Sequence, residues 1–127
     1  MKWYLKVLKN YANFKGRARR KEYWMFVLFN LIFLIVASIL DRILDNIIIR
    51  STASFETVNY PIFYALYSLF VIIPSLAVAV RRLHDTGKSG WMILISLIPL
   101  VGAIWLFVLM VTDSELGENK YGSNPKN

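Results

Sequence analysis

Three stretches of the chain contain no Asp, Glu, Lys, Arg or His: Tyr23 to Leu40, Pro61 to Val80 and Trp91 to Val111. At about 1.5 Å per residue each run reaches roughly 27 to 32 Å, the thickness of a bilayer's hydrocarbon, and so each is predicted to cross a membrane once as a helix. Twelve Leu, Ile, Val and Phe residues in the first run outweigh the cost of inserting Asn30. Soluble buried helices are the competing explanation, and they fail because so short a chain cannot cover three uncharged helices on every side. A cleaved signal peptide does not fit the first run, since the polar leader exceeds twenty residues and no small-x-small site closes the run.

The flanks have periodicities of their own. In the leader, Trp3, Tyr4, Val7, Leu8 and Tyr11 recur at helical spacing opposite Lys2, Lys6, Lys9, Asn10 and Asn13, which predicts an amphipathic helix lying in the headgroup plane. Gly16 then lets the chain turn. "DRILDNIIIR" groups Ile43, Leu44, Ile47 and Ile48 on one face, and either extends the first helix or lies on the outer surface. Ser51 to Asn59 reads as a polar link, and "GENKYGSNPKN" as a turn-rich tail. Ala65, Ser68, Ser75 and Ala79, with Ser96, Gly102 and Ala103, mark positions where helices approach closely, and Asn30 is placed to hydrogen-bond across them. The fold class is therefore an all-α membrane protein with three transmembrane helices, at about 23–40, 61–80 and 91–111, plus an N-terminal interfacial amphipathic helix. Residues 1–127 form a single integral-membrane domain, with 1–22 its basic leader and 112–127 its polar tail.

Charge adds an orientation. The net charge of +7 in 127 residues would suggest a nucleic-acid partner for a soluble protein. Here 57% of residues are hydrophobic, and the charges gather between the apolar runs instead. Eleven of the fifteen Lys and Arg residues lie in the leader or between the second and third runs. Because cytoplasmic flanks hold the Lys and Arg excess, these two segments are expected inside, with the N-terminus cytoplasmic, and residues 41–60 and the tail outside. Pro99 with Gly102 leaves open that the last run re-enters. No cysteine and one histidine, His84, exclude disulfides and conventional thiolate or His-rich metal sites; no cofactor is expected.

The candidate chemistry centres on "RRLHDTGKSGW", Arg81 to Trp91. Its Gly-Lys-Ser lacks the glycine that a phosphate loop needs at position 82, where Arg82 stands, and no strand precedes it. Asp85, Thr86 and Gly87 make a tight turn, and Ser89 is placed to cap the next helix. His84 beside Asp85 suggests acid-base work, but adjacent side chains rarely face each other and no nucleophile accompanies them. Arg81 and Arg82 with His84 suit phosphate oxygens better.

"FKGRARRKEYWMF", "RRLHDTGKSGW", "LIPLVG" and "GENKYG" occur in an order and spacing that resembles domain-of-unknown-function family 805 (DUF805), the YhaH-like small bacterial inner-membrane proteins. The resemblance covers nearly the whole chain and implies an inner-membrane protein with several spans. It brings no activity, cofactor or catalytic residue.

Glu22, the sole acid of the leader region, is expected beside Arg81 or Arg82, with Arg17 and Arg20 left to form a shallow site for anionic lipid phosphate. Arg17, Arg20, Glu22, Arg81, Arg82, His84 and Asp85 are thus the candidate lipid-contacting or ion-pairing residues. The leading functional reading is a structural or interaction protein with a basic cytoplasmic face, whose partners are membrane lipids, a second copy or another membrane protein. The alternative is a subunit of an oligomeric transporter or channel, although no carboxylate lies inside a run. A lipid-modifying enzyme is the third, and Glu22, Asp85 and His84 make a thin catalytic set.

Overall fold

A computed structural model describes residues 2–52 and 61–126. The polar link expected before Pro61 lies for the most part outside the described residues. The elements are α1 (Lys2–Lys9), α2 (Arg20–Thr52), α3 (Ile62–Asp85), a 3-10 helix (Gly90–Leu97) and α4 (Val101–Val111). No strand occurs among the described residues; Asn119 and Gly122 form an isolated bridge within a turn. The chain divides into two compact units, Met1–Val27 with Ile73–Asn127, and Leu28–Ile72.

Two helices are long and apolar enough to cross a membrane, within Arg20–Ile48 and Ile62–Asp85. Both exceed the uncharged runs that predicted them. "DRILDNIIIR" simply continues α2, and α3 runs on to Asp85. The helical pattern survives because the added charges fall at the ends, where they meet partners or water.

The third run does not form one spanning helix, which corrects the expectation at 91–111. It starts as a 3-10 helix capped by Ser89, whose Oγ accepts from the Trp91 N–H at 3.3 Å. The helix stops at Ile98, which is extended because it precedes Pro99. Leu100 then adopts φ 61 and ψ −64, with the Val101 N–H donating to the Pro99 carbonyl at 2.7 Å. This three-residue γ-turn is a strained reversal. Gly102 makes the reversal possible: a Cβ there would lie 1.7 Å from the Ile95 carbonyl oxygen. The following α4 has 11 residues, about 17 Å, and cannot span. Trp91, Leu97, Leu100 and Val101 are all at least 70% exposed, a surface suited to lipid.

In the first unit, α1 buries Tyr4 and Val7, and Tyr4 stacks on Phe26 with ring centroids 5.4 Å apart. The leader helix thus uses part of its apolar face to dock on protein, where the sequence pattern predicts that face against lipid. Gly16, at φ +88, makes the turn that follows. Along α3, Pro74, Ala77, Val78, Arg81, Arg82 and Asp85 are buried, and Ala79 and Leu83 pack with Leu109 and Met110 of α4. Of Ala65, Ser68, Ser75 and Ala79, Ala79 alone is buried, because the buried stripe of α3 runs one position earlier, through 74 and 78, and Ala65 is exposed.

In the second unit, Asp41 of α2 is 4% exposed and receives the Phe63 and Tyr64 N–H groups at 2.8 and 3.0 Å. It caps the first turn of α3 from a neighbouring helix, satisfying two of that helix's orphan donors. Phe33 of α2 packs against Tyr67 of α3 in the same unit. Asn30 does not make the interhelical bond its amide suggested, at least through oxygen: its Oδ1 is buried without a hydrogen-bond partner.

If Gly102 sets the reversal, Gly102→Leu destabilises the protein by about 1–3 kcal/mol or more through overpacking. Ala103→Leu, at an exposed position, shifts stability by less than about 0.5 kcal/mol. Denaturant titration in mixed micelles measures both; equal effects would place the reversal elsewhere.

Candidate functional site

The last turn of α3 carries a fully buried carboxylate. Asp85 accepts from Arg17 Nε at 3.0 Å on Oδ1, and from Arg82 Nη1 and Ser114 Oγ, both at 2.5 Å, on Oδ2. Its backbone oxygen accepts from Arg17 Nη2 and from the Glu115 N–H. Such a group is tolerated because both oxygens are engaged and two guanidinium groups offset its charge; an unpaired buried ion costs several kcal/mol.

Arg17 is as fully used as Asp85. Besides the two bonds to Asp85, its Nη1 donates to the carbonyls of Gly117 and Gly122 and its Nη2 to that of Glu115 at 2.6 Å. All five guanidinium N–H groups therefore have an acceptor, an arrangement no lysine can reproduce. The side chain is 1% exposed. Arg17 is consequently not part of a shallow surface site, as the leader's composition suggested, and instead ties leader, α3 and tail together.

The tail is here because of these bonds. It lies against the leader and the end of α3, whereas alternation of three spans would carry it to the opposite side. Asn119 Nδ2 donates to the His84 carbonyl at 3.0 Å, and the Tyr121 ring stacks on His84 at 3.9 Å, nearly parallel. His84 Nδ1 is 2.9 Å from the Gly16 carbonyl, which can only accept, so that nitrogen carries the proton. The imidazole is thus held by leader and tail and does not face Asp85. α3 closes with Gly87 at φ +78, its N–H bonded to the His84 carbonyl and that of Lys88 to Leu83, the two bonds of a Schellman cap. At the far end of the tail, Lys126 pairs with Asp113. That hydrogen bond, with the one from the Ser114 N–H, holds the Asp113 carboxyl below its ordinary range.

Cations also gather at the C-terminus of α4, whose last carbonyls lack helical partners. The Met110 oxygen accepts from Trp24 Nε1 at 3.0 Å and from Arg82 Nε at 3.2 Å, and the Val111 oxygen from Arg20 Nη1 at 3.1 Å. Positive groups are favoured at this negative end of the helix dipole. Arg20 thereby has a partner on its exposed side.

Glu22 is fully buried and accepts from Arg81 Nη1 at 2.9 Å, with Lys6 Nζ 3.6 Å from its other oxygen. Arg81 Nε and Nη2 and Arg82 Nη2 are buried with no partner. Close by in the leader, Lys2, Lys6 and Lys21 place Nζ 5.2, 5.6 and 5.7 Å from the centroid of the Trp3 ring, and Arg19 its guanidinium carbon at 5.3 Å. Four cations on one indole repel one another, and Glu22 is the acid nearest in sequence. Arg19 Nε is buried and unpartnered as well.

Sequence reasoning named Arg17, Arg20, Glu22, Arg81, Arg82, His84 and Asp85, and the structure brings all seven into one unit. It did not find Ser114, Glu115, Asn119 and Tyr121, or the ring of cations at Trp3. The one available signal for the tail was "GENKYG", a motif with no apolar reason to persist. No group of three or more His, Cys, Asp or Glu among the described residues could hold a metal.

Apolar helices of this length, with buried ion pairs gathered at the end of α3, belong to the class of small helical membrane proteins. The chain belongs to the family described as "Protein of unknown function (DUF805)", whose model matches residues 11–123. It is 46% identical to the "Inner membrane protein YhaH" of Escherichia coli (strain K12), over 99% of this chain and 98% of that protein. It is 43% identical to "Inner membrane protein YhaI" of the same organism, over 99% and 97%. A more distant relative there, "Uncharacterized protein YiiR", is 28% identical over 88% and 85%. No solved structure gives a significant match.

Removing the carboxylate's charge leaves two buried guanidinium groups uncompensated, so Asp85→Ala should cost about 3–5 kcal/mol. Arg17→Lys keeps the charge but strands several carbonyls and should cost about 2 kcal/mol, whereas Arg20→Lys stays under about 1 kcal/mol. Equal losses for the two lysine variants would deny Arg17 its central part. In the tail, Asp113 has a folded pKa below its unfolded value. The bridge to Lys126 therefore stabilises the closed tail above the unfolded carboxyl pKa, and that contribution disappears as pH falls through the lowered value. Tryptic cleavage after Lys126 in an otherwise folded chain cannot be read at low pH, but hydrogen exchange of the tail amides can; it should speed up, after correction for intrinsic rates, across that window and not in Asp113→Asn.

Proposed function

We propose that this chain is a multi-pass bacterial inner-membrane protein that acts as a structural or interaction protein. It crosses the bilayer twice, through α2 and α3, and the hairpin of the 3-10 helix and α4 dips in and returns. The leader, the turn after α3 and the tail then share the cytoplasmic surface. The Lys and Arg excess there supports this orientation, as do the names of its near relatives. Without a carboxylate free of partners in this cluster, the polar residues serve mainly to hold the segments in register.

The basic face is the functional part of this surface. Its chemistry is contact with anionic lipid phosphate, and the observation that carries it is the ring of Lys2, Lys6, Arg19 and Lys21 around Trp3. Tryptophan favours the headgroup level, and each basic residue near an anionic surface contributes about 1 kcal/mol. A phosphate among these four cations relieves their repulsion and supplies an acceptor where Arg19 Nε has none.

Two measurements test the reading. A C-terminal reporter fusion should be active in the cytoplasm, as should an N-terminal one; a periplasmic C-terminus would overturn the two-span topology. The variant Lys2→Gln, Lys6→Gln, Arg19→Gln, Lys21→Gln should retain at least about tenfold less cardiolipin and phosphatidylglycerol through purification, on the scale of the four lost charges. Retention unchanged, with topology intact, would remove the lipid role of this face.

A further inference from the structure

A different feature, in the second unit, points to a second lipid site. Leu31, Leu34, Ile35, Ser38, Ile39 and Arg42 of α2, with Tyr64 of α3, line an open groove of about 310 Å³. The α2 residues follow the three-four spacing of a single helix face, so the groove runs along the helix for about 16 Å. Its floor is aliphatic. Ser38 is neutralised within it, because its hydroxyl donates to the Leu34 carbonyl at 3.0 Å. The end of the groove differs: Arg42 is exposed, and among the described residues it makes no ion pair or hydrogen bond. Tyr64 is 42% exposed and brings a phenol to the same end.

A cation bordering an apolar, lipid-facing surface is costly without a counterion. Neither neighbouring acid serves: Asp41 is buried with both oxygens accepting backbone N–H groups of α3, and Asp45, one turn further along α2, makes no ion pair with Arg42. We infer that this groove binds one anionic phospholipid, its acyl chain along Leu31, Leu34 and Ile35 and its phosphate on Arg42 and Tyr64. The shape suits a chain and the charge suits an anionic headgroup. A second copy of the protein would have to bring an acid to Arg42. In the two-span orientation proposed above, the Arg42 end of the groove falls in the periplasmic leaflet. The inference does not depend on the lipid reading of that face.

The test uses the full chain carrying the four glutamines of the leader variant, which removes the other candidate site. After delipidation in detergent it is titrated with phosphatidylglycerol or phosphatidylethanolamine and read by native mass spectrometry. One phosphatidylglycerol should bind, at least about fivefold tighter than phosphatidylethanolamine, and Arg42→Gln should abolish that preference while Arg42→Lys keeps part of it. Leu34→Trp, which fills the groove, should weaken both lipids. Circular dichroism melting of each variant confirms that it is folded, and the Arg42 pair, at an exposed position, keeps the test decisive should Leu34→Trp unfold. Equal binding of the two lipids, an unchanged preference in Arg42→Gln, or a protein dimer that phosphatidylglycerol does not dissociate would each overturn the proposal.

Discussion

The Asp85 carboxylate, buried and shared between Arg17, Arg82 and Ser114, is the constraint around which the first unit is arranged. In lipid, apolar helices gain little by choosing one apolar neighbour over another, because the acyl chains are as apolar as leucine. What distinguishes one packing from the next is whether polar groups find partners. Removing Arg17 from its place strands Asp85 and three carbonyls of the tail together, so leader, α3 and tail must dock as a set. Buried ion pairs of this kind add little net stability against a well-packed apolar alternative. Their effect is to make the wrong arrangements expensive.

The same reasoning explains why the third apolar run turns back. Its C-terminal carbonyls need donors, and the donors are Trp24, Arg82 and Arg20, all at the end where α2 begins and α3 stops. A straight helix over the run would carry those carbonyls about 30 Å away. Pro99 and Gly102 allow the chain to reverse, one by withholding a donor and the other by letting backbone approach backbone. The cationic end supplies the reason for the reversal to be retained. Strain at Leu100 is then a local cost, offset by the hydrogen bonds at the other end of α4.

What could be read from the sequence follows from which signals are local. Absence of charge over twenty residues is local, and it located α2 and α3 correctly in their centres. It could not separate a span from a hairpin of the same composition, because 91–111 is as apolar as the other two runs and only Pro99 and Gly102 differ. Pairing is not local: Arg17 and Asp85 stand 68 residues apart, and a count of basic residues treats every arginine as exposed. The tail was harder still. It serves through its backbone carbonyls, at Glu115, Gly117 and Gly122, and side-chain identity says nothing about where a carbonyl points. The capping role of Asp41 was out of reach for a related reason, since its partners are the N–H groups of a helix more than twenty residues on.

Among the basic residues of the leader, Arg17 and the four around Trp3 obey different physics. Arg17 is withdrawn from solvent and matched by a carboxylate, so it contributes almost nothing to the field at the surface. Lys2, Lys6, Arg19 and Lys21 share a single aromatic ring, and of the four only Lys6 lies near a carboxylate among the described residues, that of Glu22, already claimed by Arg81. Their charge extends outward and is screened only by ions or by headgroups within about a Debye length. A sequence written for orientation alone has no need of this division, because scattered lysines set topology equally well. Gathering four cations at one indole, while Arg17 is buried against Asp85, gives the leader a localised electropositive surface.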